Sequence, residues 1–366
     1  MDYKKKYIKY KYKYYSLKKK YLQDGGGNNI YNCYNNEDKK FKTKPKNTNC
    51  AYVYMLTKSS SSYKKYIIAA LVSAYSLKKQ KTKYDIIVLV DEYIYKNYYK
   101  LLKIIFDKVK LMEDFYPHKN FIKDIGRESW KFLYNKIMLF KLIEYKKVLM
   151  VNVNILPFKN YDYIFNYNTP AGVIIKKAYD GEFNFKNKKK YVNRENYWVN
   201  EYKKIICNYK NIHELAKNDN TLFNQFNKKL LNYDNYDWYI QGSLLLYEPS
   251  LKTFNQLFKI LNGSNPKYKN LYFTNDEMFF TYFFRKKWNF IDNRFSSNIL
   301  PRKYPYIEYI FGIKYNTGKP FLLDYKKKNK FLKYKEYRLW ITYYQEFINK
   351  HPSIKNIIDL DEIFNF

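Results

Sequence analysis

From residue 51 onward the chain alternates short, nearly continuous apolar runs with longer stretches in which apolar residues recur every three or four positions. A continuous run suits a strand buried on both faces, and the longer period suits a helix with one face on a core. Strands are expected at Ala51–Leu56, Ile86–Val90, Val109–Met112, Val148–Val151, Ala171–Ile175 and Ser243–Leu246. Helices are expected at Tyr66–Leu77, around Leu101–Phe106, and at Trp130–Ile143, Leu251–Leu261, Asp276–Phe284 and Tyr337–Ile348. The alternation predicts an α/β fold whose central, mostly parallel sheet is flanked by helices.

The flanks read differently. Residues 1–49 hold 14 Lys against 4 acidic residues and are broken by Gly25, Gly26 and Gly27, which marks a basic Tyr/Lys/Asn-rich leader outside the core. Residues 50–323 form the expected domain, residues 324–366 a C-terminal helical extension, and the polar stretch 176–210 a surface insertion. No run approaches the ~20 apolar residues of a membrane span, and no apolar segment follows the basic start as in a secretory signal. A cytoplasmic location is therefore expected.

Charge adds a question. A net charge of +36 suits a nucleic-acid or other anionic partner, because clustered Lys and Arg neutralise phosphates. Yet 46 Tyr beside abundant Lys and Asn is a bias of the whole chain, and no known nucleic-acid-binding pattern accompanies it. Nucleic acid stays open as a partner only through the leader. Cys33, Cys50 and Cys207 match neither a zinc spacing nor a paired framework and read as free thiols. His118, His213 and His351 form no metal-binding or triad spacing, and His213 reads as a surface helix residue.

The chemistry gathers where the fourth strand ends. Lys147–Phe158 runs from an apolar strand into Asn152 and Asn154, two amides at positions i and i+2, where two carboxylates would clamp a divalent ion. With Ala51–Thr57, Ala70–Lys78, Thr82–Val90, Asn135–Ile137, Gln241–Ser250, Asn275–Glu277 and Gly312–Phe321, this segment resembles the glycogenin-like family 8 glycosyltransferases. The order and spacing cover about residues 50–321, and the leader resembles those of large DNA virus proteins.

The resemblance implies a GT-A-type fold and transfer of a hexosyl group, with retention, from a nucleotide sugar, such as a UDP-sugar, to a protein or glycan acceptor. It places Thr57, Lys136, Asn152, Asn154, Lys314, Gly318 and Lys319 at donor-binding positions. Asp276 and Gln241 take the catalytic, sugar-orienting positions, although Asp276 is equally placed to cap its helix. The family's metal ligands are two Asp and a His, and here Asn152, Asn154 and Lys314 stand in their places. No metal ligand is assigned, and manganese is not expected. Two alternatives stay open: a catalytically inactive relative that binds a partner or glycan, and a basic nucleic-acid-binding protein.

Overall fold

The computed structural model describes residues 49–118, 128–176, 238–264, 275–285, 287–298, 310–316, 318–323 and 335–358. The leader up to residue 48, the insertion from residue 177 to 210 and His213 lie outside the described residues.

Ten strands and five α-helices are described. In chain order they are β1 (Cys50–Leu56), α1 (Tyr63–Lys79), β2 (Asp85–Val90), α2 (Glu92–Leu102), β3 (Lys108–Leu111), β4 (Lys147–Val151) and β5 (Ile155–Pro157). Then follow β6 (Ala171–Lys176), β7 (Trp238–Tyr247), α3 (Leu251–Leu261), α4 (Asp276–Phe283), β8 (Asn289–Phe290), β9 (Ser297–Asn298), β10 (Gly312–Lys314) and α5 (Lys335–Lys350).

Seven strands form one sheet in the order β3-β2-β1-β4-β7-β6-β8. Pairing is parallel from β3 through β4 and between β6 and β8, so β7 alone runs against the others. This is the α/β fold with a mixed, mostly parallel sheet that the alternating pattern predicts. The central strands carry no polar face: Tyr52, Val53, Tyr54, Val88 and Leu149 are all buried. A second, three-stranded sheet joins β5, β10 and β9. It continues from the end of β4, and Lys314 of β10 lies opposite Ile155 of β5.

The tyrosines do structural work beyond compositional bias. Tyr52, Tyr54, Tyr161 and Tyr315 are buried with their hydroxyls partnered: Tyr52 donates to Asp162 (2.7 Å), Tyr54 meets Ser73 (2.8 Å), Tyr161 donates to the Phe295 carbonyl, and Tyr315 to the Glu336 carbonyl (2.7 Å). Each ring supplies apolar area while its polar tip finds a partner, as burial requires. The close approach of Tyr161 depends on Gly312, where an added Cβ would fall 1.6 Å from the Tyr161 hydroxyl.

Two helical expectations are corrected. Residues 128–141 wind as a 3₁₀-helix, not an α-helix, and begin two residues before Trp130. Every residue from Tyr134 to Phe140 is buried, so no apolar stripe distinguishes three residues per turn from 3.6. The helix expected around Leu101–Phe106 begins at Glu92 and ends at Leu102; Ile105 and Phe106 continue as turns onto Leu102 before β3. The C-terminal helix α5 packs on α1, with the Tyr75 and Phe347 rings 5.5 Å apart.

Candidate functional site

In an open parallel sheet the C-terminal strand ends leave a crevice at the edge of the layer. Here Leu56 of β1 and Val90 of β2 end side by side, and β4 ends at Val151 on the same edge. Because β7 is antiparallel, its early residues Gln241–Ser243 lie at this edge too, with Val151 opposite Leu244. Asn152 continues the ladder, donating its backbone N–H to the Ser243 carbonyl (2.9 Å).

Asn152 and Asn154 make a tight turn between β4 and β5. Ile155 donates its backbone N–H to the Asn152 carbonyl (2.9 Å), and the Asn154 N–H donates to Asn152 Oδ1 (3.2 Å). Asn154 is held by β10: its carbonyl accepts from Tyr315 N–H (2.9 Å), and its Nδ2 lies 3.5 Å from the Tyr315 carbonyl. Among the described residues its buried Oδ1 has no partner. A buried amide oxygen left unpaired costs about 1–3 kcal/mol. That oxygen keeps its acceptor capacity for any hydroxyl or N–H donor that reaches it.

Beside this turn sits a buried charge cluster. Lys136 Nζ donates to Asp276 Oδ2 and to the Gly242 carbonyl (2.7 Å), with the Lys136 and Asp276 side chains only 4% and 1% exposed. The Gly242 N–H donates to Glu277 Oε1 (2.6 Å). Gly242 is what lets these groups meet: a Cβ there would lie 2.7 Å from Lys136 Nζ, 2.8 Å from Glu277 Cγ and 2.9 Å from Asp276 Oδ2. On the neighbouring residue, the Gln241 side-chain oxygen accepts from the hydroxyls of Ser243 (2.6 Å) and Ser296 (2.7 Å), which fixes its amide in one orientation.

Asp276 does not cap its helix. Asn275 does, accepting the Met278 N–H (2.9 Å), and Asp276 is thereby free to pair with Lys136. Burial pushes the Glu277 carboxyl above its ordinary pKa; the Lys314 ammonium opposes this, Asp276 adds to it, and Lys136 and the Gly242 N–H oppose it. Lys314 is itself buried at the end of β10, so its charge enters the same cluster.

The raised Glu277 carboxyl predicts a pH-dependent stability. A carboxyl whose folded pKa lies above its unfolded one gives stability that is complete below the unfolded value and is lost as pH rises through the folded one. Glu277→Gln, which keeps the acceptor oxygen without the charge, should therefore melt higher than the parent at pH 8. The advantage should shrink to nothing near pH 4 in paired thermal melts.

The structure thus gathers Lys136, Gln241 and Asp276 in contact through Gly242 and Ser243, sets Asn152 and Asn154 against the same strand, and brings in Lys314 through Glu277. Thr57 follows β1, next to Lys58, whose N–H donates to the N-cap residue Asp91. Lys319 donates to the Tyr66 hydroxyl of α1 (3.0 Å) and follows Gly318, whose φ of +65° favours glycine. Sequence reasoning missed Gly242 and Glu277. A glycine inside the apolar run of β7 was the available signal, since such a glycine marks close approach of another group.

A divalent cation does not fit this donor set. Asn152 Oδ1 already accepts a backbone N–H, Asp276 is neutralised by Lys136, and the Lys314 ammonium is buried in the same cluster. Hard cations are held by several oxygens that include charged carboxylates, and one buried amide oxygen offers too little in exchange. Among the described residues, no three His, Cys, Asp or Glu side chains come together as a metal site, and no helix is long and apolar enough to cross a membrane.

The chain resembles known proteins in its layout. It is similar to the galactosyltransferase LgtC in complex with donor and acceptor sugar analogs, at 13% identity and a TM-score of 0.48 over 81% of this chain and 95% of that one. It is also similar to the glycosyltransferase GlyE of Streptococcus pneumoniae TIGR4, at 10% identity and a TM-score of 0.45 over 83% of this chain and 64% of that one. For mouse xyloside xylosyltransferase 1 the values are 12% and 0.39 over 74% and 98%. In sequence, 115 residues are 27% identical to the uncharacterized protein R707 of Acanthamoeba polyphaga mimivirus, a match that spans 30% of this chain and 38% of that protein. No family model matches. These likenesses concern the course of the chain and carry nothing of its chemistry.

Proposed function

We propose that the protein is a retaining hexosyltransferase that binds a nucleotide sugar at the edge formed by β1, β4 and β7 and uses fixed ammonium groups where related sites use a metal ion. The observation that carries this reading is the buried Lys314 beside the Asn152–Asn154 turn, in a cluster that already holds Lys136, Asp276 and Glu277. A departing nucleoside diphosphate develops negative charge, and preorganised cations in a water-poor site stabilise it without reorganising. One ammonium at ~4 Å contributes on the order of 4 kcal/mol at an effective dielectric near 20.

In this reading Lys314 and Lys319 meet the diphosphate. Lys319 can leave the neutral Tyr66 hydroxyl for a charged oxygen, exchanging a weaker hydrogen bond for a charge-assisted one. Asn152 offers its amide nitrogen to phosphate, whereas Asn154, whose oxygen is unpartnered among the described residues, suits a ribose or sugar hydroxyl. Lys136 acts through Asp276: its ammonium holds that carboxylate in one position beside Gly242, so the pair orients the transferred sugar while Gln241 lines the same wall. The acceptor proton leaves with the diphosphate, and no side chain is assigned as general base.

One observation favours a second reading. Asp276, the carboxylate at the sugar-orienting position, is committed to Lys136, which also suits a catalytically silent protein that only binds a nucleotide or glycan. Hydrolysis of a panel of nucleotide sugars, run with and without chelator, separates the two. The transferase reading expects turnover of at least one donor, undiminished by chelator. Binding without turnover of any donor supports the silent reading, and turnover abolished by chelator contradicts the metal-free site.

A further inference from the structure

The parallel crossovers carry α1 and its partner helix back to the edge of the sheet opposite the site, and there the C-terminal ends of α1 and α5 converge. Between them and the turn after α2 lies a cavity of about 200 Å³. Tyr75, Lys78 and Lys79 line it from α1, Ile104 and Ile105 from the turn, and Lys350 and His351 from the end of α5.

The charges around it do not balance. Lys78 pairs with Asp107 at 2.9 Å, and Lys79 pairs with Glu346. Lys103 donates to the Asp107 backbone carbonyl (2.7 Å), not to a carboxylate. Lys350 stands 5.8 Å over the Tyr75 ring, and no carboxylate is paired with it among the described residues. Among the described residues, then, three ammonium groups line the cavity and a fourth, Lys103, stands beside Asp107, against the two carboxylates of Asp107 and Glu346. Lysines in the last turn of a helix offset the partial negative charge of its end, worth about half a charge per helix. Two such ends still leave positive charge over.

His351 sits at the centre of this surplus. Its ring lies edge-on to Tyr75, with centroids 6.3 Å apart, and against Phe347 at 5.3 Å. Burial pushes its pKa down, and Lys350 and Lys78 push it down further. All three influences disfavour the imidazolium.

We propose that this cavity is a binding site for a phosphate monoester whose organic group is apolar, with the phosphate taken by Lys350, Lys78 and His351 and the organic group by Ile104, Ile105 and the Tyr75 ring. The site is remote from the sheet edge occupied by Lys314 and Asp276, and it stands whether or not the chain transfers sugars. A phosphate dianion beside His351 supplies the opposite charge that the cluster lacks, so binding stabilises the imidazolium. Around the ring stand Tyr75, Lys78 and Lys79 of α1 and Lys350 of α5, and the nearest described carboxylates, Asp107 and Glu346, are paired with Lys78 and Lys79.

Phenyl phosphate is a suitable probe. The full-length protein is titrated with it while the His351 ring signal is followed by NMR against pH, with sodium chloride at equal ionic strength as the control and His351→Asn to assign the signal. The expected result is a saturable rise of the His351 pKa by about one unit or more, as an adjacent opposite charge produces. Lys350→Ala, which truncates an exposed side chain at the end of α5, should weaken binding about tenfold and leave the melting temperature unchanged. Inorganic phosphate should bind more weakly than phenyl phosphate. A shift no larger than that given by chloride, or one unaltered in Lys350→Ala, overturns the proposal.

Discussion

Asp276→Ala should lower the unfolding free energy by about 3–5 kcal/mol, because it leaves the Lys136 ammonium buried without its counter-charge. Lys136→Met should cost a similar amount, by stranding the Asp276 carboxylate and removing the donor of the Gly242 carbonyl. The two losses should not add. Once either partner is gone the other is a liability, so Lys136→Met combined with Asp276→Ala should be less destabilised than the sum of the singles by at least about 1–3 kcal/mol, the coupling expected of contacting groups. Denaturant melts of the four proteins complete the cycle. Singles that each cost under about 1 kcal/mol and add would mean that the pair is exposed to water in solution and does not fix Asp276.

The second large effect concerns ligand binding. Lys314→Met removes the charge held at the end of β10, and with it the largest influence keeping the Glu277 carboxyl ionised. The variant alone would mix two losses, so the cleaner comparison sets Lys314→Met/Glu277→Gln against Glu277→Gln. In that background Asp276 keeps its Lys136 partner, and thermal melts of both variants check that the fold is retained. Removing one preorganised group that stabilises a developing oxyanion costs about 10²–10³ in turnover, and a loss of that order is expected here. Lys319→Ala should cost less, because Lys319 is only half-buried and its present partner is a neutral hydroxyl.

Much of the layout is legible in the chain because the strands are buried on both faces. β1, β2 and β4 have no polar face, so each stands out as an apolar run, and α3 is bounded as expected by its Ser250 cap and the loss of apolar period after Leu261. The 3₁₀ segment is not legible for the same reason in reverse: a stretch buried all round shows no period. The site is legible only in its residue types. Asn152 and Asn154 stand out as amides at the end of a strand, but Lys136 reaches Gly242 across 106 residues and Asp276 across 140, and no local pattern encodes such pairings. Asn275–Glu277 reads locally as a capping sequence, which hides that one residue caps, one pairs with a buried lysine and one binds the backbone of β7. The tyrosine surplus misleads in the other direction, since a biased composition still supplies specific, hydroxyl-satisfied core residues.

The account turns on whether a fixed ammonium does the work of an inorganic cation. Calorimetric titration of uridine and guanosine diphosphate into the Glu277→Gln protein and into Lys314→Met/Glu277→Gln, both in excess chelator, addresses this directly. At least one nucleotide should bind the first without metal, and the second should bind it about 30-fold to 1,000-fold more weakly, a loss of about 2–4 kcal/mol. Equal affinity for the two proteins, or binding that appears only when manganese is added, would contradict it.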